Sequence, residues 1–187
     1  MLHDLGALTR LVRVPADLED LDGLILPGGE STTMGRLLDR YALRAPLTAR
    51  LNDGLPAFGT CAGLILLARE LENTSTNFAQ QGLGVLDARV ARNAYGTQVD
   101  SFETELEVPV LGETIRAVFI RAPQIREVGA DVEVLAHHEG VPVLVRQGTI
   151  MAAAFHPEIA GESRLHKLWI DSIKGGSWQV LGGRDGD

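Results

Sequence analysis

The chain has 187 residues, 45% of them hydrophobic and 22% charged, which fits one domain with a full core. Its 17 basic against 25 acidic residues leave a net charge of −8, which argues against nucleic acid or an anionic membrane as a general partner. No apolar run approaches the ~20 residues that span a bilayer, the opening MLHDLGALTR carries no signal-peptide pattern, and a lone cysteine, Cys61, cannot form an internal disulfide; the reducing cytoplasm is the expected setting.

In chain order, LTRLVRV (8–14) is β-branched and alternating and predicts a strand. DGLILPGG (22–29) predicts a short buried strand running into a tight loop. Residues 32–50 carry helical spacing at Met34, Leu37, Leu38, Tyr41 and Leu43, with a break before Pro46. LPAFGT (55–60) predicts a buried strand, and AGLILLARELE (62–72) a helix, from its run of good helix formers. Strand and helix alternate in this half, which implies a parallel sheet covered on both faces. The second half is rich in strands: GVLDARVARN, VDSFETELEVP, IRAVFIR, VEVLAHH, VPVLVRQG and TIMAAAFH, with a turn at Glu139-Gly140. SRLHKLWIDSI (163–173) predicts the last helix. The expected organisation is one α/β domain over residues 1–173 with an added antiparallel portion, and a poorly ordered Gly-rich tail over 174–187.

Gly59-Thr60-Cys61-Ala62-Gly63 has the form G-x-C-x-G between a predicted strand and a predicted helix. That is the nucleophile-elbow pattern, with Cys in place of Ser. Small neighbours allow the sharp turn, the helix start favours a thiolate, and the Ala62 amide can face a developing oxyanion. A lone cysteine in an apolar run is more often a buried structural residue. The strand–turn–helix setting makes catalysis an equal alternative.

A cysteine nucleophile needs a base, and the base an orienting group. Of the five histidines, His3 lies at the terminus, His137 and His138 are adjacent in a strand and point to opposite sides, and His166 reads as a surface residue of the last helix. His156 lies in AAAFHPE, where Pro157 stops a small-residue strand. In extended backbone Glu158 falls on the same side and can reach the imidazole. Taken alone, H-P-E reads as a strand-end His beside a solvated Glu. With the elbow in the same chain, the favoured reading is a triad of Cys61, His156 and Glu158. No Cys, His or acidic cluster has metal-ligand spacing, so no metal site is expected.

These pieces together resemble the class I triad glutamine amidotransferases. LDGLILPGGESTTMGRLL, FGTCAGLILLA, RNAYGTQVDSFE, AVFIRAP and FHPE, in that order, look like the glutaminase subunits of pyridoxal 5′-phosphate synthase, over residues 5–173. The resemblance implies a three-layer, flavodoxin-like fold with a mostly parallel central sheet. It implies hydrolysis of L-glutamine to glutamate and ammonia, with no metal or organic cofactor. It also implies a partner, a (β/α)8-barrel synthase subunit, in a ring that carries one glutaminase per synthase subunit. Ammonia passes along a protected path to that partner, where it meets ribose 5-phosphate and glyceraldehyde 3-phosphate. By motif, Cys61 is the nucleophile, His156 the proton carrier and Glu158 its orienting group. Gly29, Glu30 and Ser31 match glutamine-binding positions, as do Arg92, Ile120 and Arg121. The Gly29 and Ala62 backbones match the oxyanion hole. Without the resemblance, Ser31 or Thr32 reads as a helix cap, Arg92 and Arg121 as solvated charges and Ile120 as core.

Two departures stand out. Family members normally open with a strand of the type IGVLALQG and the start of a helix, and this chain begins at Met1 without them. The expectation is either a true start upstream or a truncated chain that folds or docks poorly on its own. Thr97 stands where the family often has Arg, which weakens one expected interface contact. The rivals are a glutaminase feeding another synthase, for imidazole glycerol phosphate or anthranilate, and a cysteine peptidase or deglycase-like protein. A rival of a different class is a non-catalytic docking module.

Overall fold

A computed structural model describes residues 1–72, 80–92 and 101–175. In chain order it contains β1 (Leu24–Leu26), α1 (Ser31–Arg40), α2 (Arg44–Asn52), β2 (Ala57–Thr60), α3 (Ala62–Leu67), β3 (Ala68–Glu72), β4 (Leu86–Ala91), β5 (Ser101–Val108), β6 (Glu113–Ile120), β7 (Gln124–Val128), β8 (Glu133–His138), β9 (Val141–Gln147), β10 (Ile150–Ala153) and α4 (Arg164–Gly175). The central sheet runs β1-β2-β10-β9-β8. β1 and β10 lie parallel to β2 on either side, and β9 and β8 continue the sheet antiparallel. A second sheet has the order β3-β4-β7, and β5 and β6 form a separate antiparallel pair.

Every residue of β2 is buried, because both faces of the strand are covered. Phe58 points to one face, where the His166 and Trp169 rings of α4 lie 5.1 and 6.4 Å from its ring. Gly59 points to the other, where α3 lies so close that a Cβ on Gly59 would stand 2.7 Å from the Gly63 carbonyl carbon. Helices on both faces of the sheet make the expected three-layer α/β arrangement, but the central sheet is mixed rather than mostly parallel. Only β1, β2 and β10 run parallel, because the hairpin from β8 through β9 to β10 completes it antiparallel. Among the described residues no helix is long and apolar enough to cross a membrane.

Several expectations change in detail. LTRLVRV forms no strand: the backbone amides of Arg13 and Val14 donate instead to Oδ2 of Asp17, at 2.7 and 3.0 Å. That carboxylate caps a short 3-10 turn over Pro15–Leu18, and among the described residues no neighbouring strand offers the segment a ladder. The helix predicted over 62–72 ends at Leu67, because Ala68–Glu72 pairs parallel to β4. Pairing overrides the helix propensity of ARELE, as tertiary contacts commonly do. The strand β7 has no counterpart among the predicted elements. The break in the 32–50 helix falls at Ala42, whose φ is 53°, and Pro46 sits in the first turn of α2, where a missing N–H costs nothing. The last helix runs on through Lys174 and Gly175, taking two residues assigned to the tail; 176–187 lie outside the described residues.

A groove of about 1740 Å³ lies between residues 7–14 and β1, lined also by Met34, Leu37, Tyr41 and Trp169. It is apolar, and none of Cys61, His156 and Glu158 lines it.

Candidate active site

Cys61, the candidate nucleophile, is placed by β2. The Cys61 amide donates to the Ala153 carbonyl at 2.8 Å, so the chain is still held to β10 when it turns. The turn puts Cys61 at φ 49°, ψ −99°, a strained conformation for a residue with a Cβ. α3 begins at the next residue. A Cβ on Gly63 would come within 1.9 Å of the Leu26 carbonyl oxygen, so glycine at that position is what allows α3 to lie against β1. The expected elbow is present, but α3 is only six residues long. The free N–H groups of its first turn, rather than a long helix dipole, are what it offers near the sulfur.

His156, the candidate base, is placed by β10 and β6 together. After β10 the His156 amide donates to the Val118 carbonyl at 2.8 Å, and its Nδ1 lies 2.8 Å from Glu158 Oε1. Glu158 gets there differently from the sequence expectation. Residues 157–160 form a turn, not a strand, and the turn folds the carboxylate back to the ring. On its other side the imidazole faces Cys61, whose interaction with the ring is among the causes that raise its pKa. Two residues from Val118 along β6, the Ile120 carbonyl oxygen lies 4.0 Å from the Cys61 sulfur.

Burial of His156 favours its neutral form, but the hydrogen bonds to Cys61 and Glu158, with their negative charge, outweigh it and raise its pKa to about 9. Burial likewise pushes Glu158 up, but its hydrogen bonds to His156 and to backbone and the nearby imidazole charges together outweigh it and lower its pKa. The raised value makes His156 a ready acceptor for a proton, which it can then give to a leaving group.

One residue of this site was missed in the sequence. A Cβ on Gly28 would stand 2.3 Å from Cε1 of His156, so only glycine leaves room for the ring. The available signal was the doubled glycine after Pro27, of which only Gly29 was given a role.

Gly29, at φ 149°, leads into α1. The cap of that helix is Glu30, not Ser31 or Thr32: its carboxylate accepts from the Thr32 and Thr33 amides at 2.9 and 2.7 Å and from the Thr33 hydroxyl at 2.7 Å. Burial pushes the Glu30 pKa up, but these donors together outweigh it and lower the value to about 2. Ser31 is buried at the first position of α1. Arg92, just past β4, donates to the Thr32 hydroxyl at 3.0 Å and lies 3.7 Å from the Glu30 carboxylate. The structure therefore joins Arg92 to Glu30, and Ile120 to Cys61. Arg121 follows Ile120, exposed, at φ 43°. Asn93 to Thr97 lie outside the described residues.

The remaining histidines take other places. His138 stacks on Phe102 and Phe119. His166 is not a surface residue: it is 4% exposed, edge-on to Phe58, and its burial lowers its pKa.

A buried sulfur at a strained turn, an imidazole that both receives and gives a proton, and a carboxylate that fixes the imidazole's tilt can together perform acyl transfer through a thioester.

Comparison with known proteins points the same way. Residues 2–175 match the profile of the SNO glutamine amidotransferase family. A pyridoxal 5′-phosphate synthase subunit PdxT from Thermotoga neapolitana is 53% identical over 174 residues, covering 92% of this chain and 90% of that protein. One from Rhodococcus jostii is 50% identical over 182 residues, covering 93% and 89%. A crystal structure of a glutamine amidotransferase superposes with a TM-score of 0.85 at 47% identity, covering 92% of this chain and 90% of its own. The structure of PurLQS from Thermotoga maritima, at 19% identity and a TM-score of 0.58 over 85% and 81% of the two chains, shares the fold.

Proposed function

The chain belongs to the SNO glutamine amidotransferase family, and from that premise we propose that it is the glutaminase subunit of a pyridoxal 5′-phosphate synthase, with Cys61, His156 and Glu158 as its catalytic residues. The observation that carries the residue assignment is the imidazole of His156, hydrogen-bonded to Glu158 at 2.8 Å on one side and interacting with Cys61 on the other. Relatives at about half identity bear the pyridoxal 5′-phosphate synthase name, so a glutaminase serving another synthase is not favoured.

The reaction runs in two halves. The Cys61 thiol passes its proton to His156, and the sulfur attacks the side-chain amide carbon of L-glutamine. The carbonyl oxygen takes the negative charge, facing the backbone N–H groups of Gly29 and Ala62. As the tetrahedral adduct collapses, the C–N bond breaks and His156 gives its proton to the departing nitrogen, which leaves as ammonia. Water then adds to the thioester with His156 taking its proton, the C–S bond breaks, and the products are glutamate and the free thiol. Glu158 keeps the ring oriented through both halves.

Glu30 and Arg92 stand side by side, an anion and a cation, and so match the ammonium and carboxylate of the amino-acid head of glutamine. Gly29, Ser31, the Ile120 carbonyl and Arg121 complete the substrate positions. The partner is a (β/α)8-barrel synthase subunit in a ring with one glutaminase per synthase subunit, in the cytoplasm, and ammonia passes to it without mixing with solvent. The test is ammonia release from L-glutamine with and without the barrel protein. Release that is stimulated by the barrel and lost in Cys61→Ala supports the reading. A folded protein that releases none in either case is a docking module instead.

A further inference from the structure

Gln80 is 4% exposed, and its side chain is spent on two adjacent residues at the start of α1. Its Nε2 donates to the Ser31 carbonyl at 3.0 Å, and its Oε1 accepts from the Ser31 hydroxyl at 3.2 Å and from the Thr32 hydroxyl at 3.4 Å. The same Thr32 hydroxyl receives Arg92. A buried amide that meets a loop through both its donor and its acceptor fixes position and orientation at once.

The strap that carries Gln80 is itself fastened. The Leu83 amide donates to the Leu66 carbonyl of α3 at 2.6 Å, and the Val85 amide to the Leu67 carbonyl at 3.1 Å. Arg44, paired with Asp39, donates to the Gln81 and Gly82 carbonyls and also to the Gly35 carbonyl of α1. The strap is thus tied to the helix that follows Cys61 and, through Gln80, to the start of the helix that follows Gly29 and Glu30.

We propose that Gln80 is a positioning residue for substrate binding: it holds Ser31 and Thr32, and through them Glu30 and Arg92, at a fixed distance from α3 and Cys61. The inference rests on the reading of residues 29–31 as the glutamine-binding loop. The Gln80 hydrogen bonds go to Ser31 and Thr32 and not to Cys61 or His156, so its loss acts on KM and leaves the chemistry alone.

The experiment measures kcat and KM for ammonia release in complex with the synthase barrel, for Gln80→Leu, Gln80→Glu and Ser31→Ala. The rate at which iodoacetamide alkylates Cys61 is followed alongside, since that reagent needs no glutamine site. The expected result is a KM raised about tenfold or more in Gln80→Leu, the scale of losing hydrogen bonds from a buried polar group, with kcat and the alkylation rate near wild type. Gln80→Glu, which keeps the acceptor and loses the donor, falls between the two. If Ser31→Ala raises KM and Gln80→Leu does not, the inference is overturned while the loop assignment stands. If neither substitution moves KM, the loop assignment fails, and the inference with it. A fall in kcat together with slowed alkylation in Gln80→Leu shows a general structural role and also overturns it.

Discussion

Gly28 has no side chain, and that gap is where the His156 ring stands. Gly28→Ala therefore displaces the imidazole from between Cys61 and Glu158 while leaving the triad's own atoms unchanged. Misplacement of a catalytic group by about an ångström costs on the order of 100-fold, so we expect kcat/KM for glutamine to fall by about that much. Steady-state assay checks this, with circular dichroism to show that the fold is kept. Glu30 caps α1 and, in the proposed reading, also binds glutamine, so Glu30→Ala is expected to cost about 0.5–2 kcal/mol as a lost helix cap and also to raise KM. Denaturant unfolding reads the first effect and kinetics the second. For His156 the sign follows from the direction of its shift. Its folded pKa, about 9, lies above the ordinary 6.5, so the stabilisation it contributes is full below about pH 6.5 and fades as pH rises through about 9. The melting difference between the wild type and His156→Ala should shrink across that window, and a constant difference would contradict the assignment.

At the scale of elements, what could be read in the sequence was what local pattern determines. The elbow was visible because glycines at 59 and 63 bracket a cysteine between an apolar strand and an apolar helix, and both glycines prove to be demanded by close backbone approach. The Glu139-Gly140 turn was visible because both residues take positive φ, at 50° and 79°. Three things were hidden because they depend on neighbours distant in sequence. ARELE becomes β3 only because Leu86–Ala91 lies beside it, and QIREV becomes β7 only because β4 pairs with it. LTRLVRV has strand composition and no partner among the described residues, so Asp17 takes its amides and Leu8 is left 99% exposed. Its prediction follows from the groove it borders. Joining an apolar strand ahead of Met1 should raise the melting temperature, since such a strand has β1's open side to pair with and apolar walls to bury against. Equal melting with and without the addition would refute this. In α4, His166 was misread because its polarity suggested the surface. Its Nδ1 is buried without a hydrogen-bond partner among the described residues, so His166→Phe should melt at or above wild type while keeping the ring contact with Phe58.

For the whole molecule, the α/β class followed from the alternation of strand and helix in the first half, and the antiparallel additions from the strand-rich second half. What no local pattern could supply was the convergence. Cys61 comes from the end of β2, His156 from just beyond β10, Ile120 from the end of β6 and Gly28 from just beyond β1. The parallel arrangement of β1, β2 and β10 carries three of these to one edge of the sheet, where ligand sites of open α/β sheets collect. The position of Glu158 was right in the sequence and its path was wrong, because proline at 157 starts a turn that an extended-chain argument cannot contain.

β6 offers a last consequence. Its Val118 carbonyl holds the backbone of His156, and its Ile120 carbonyl lies against the sulfur of Cys61. One strand thus serves as a common rail for both reacting groups. The two holds are unequal: β6 grips the His156 amide directly, whereas Cys61 is fastened to β10 through its own amide and meets β6 only at the sulfur. A strain entering through the β5–β6 ribbon therefore reaches the imidazole before the thiol.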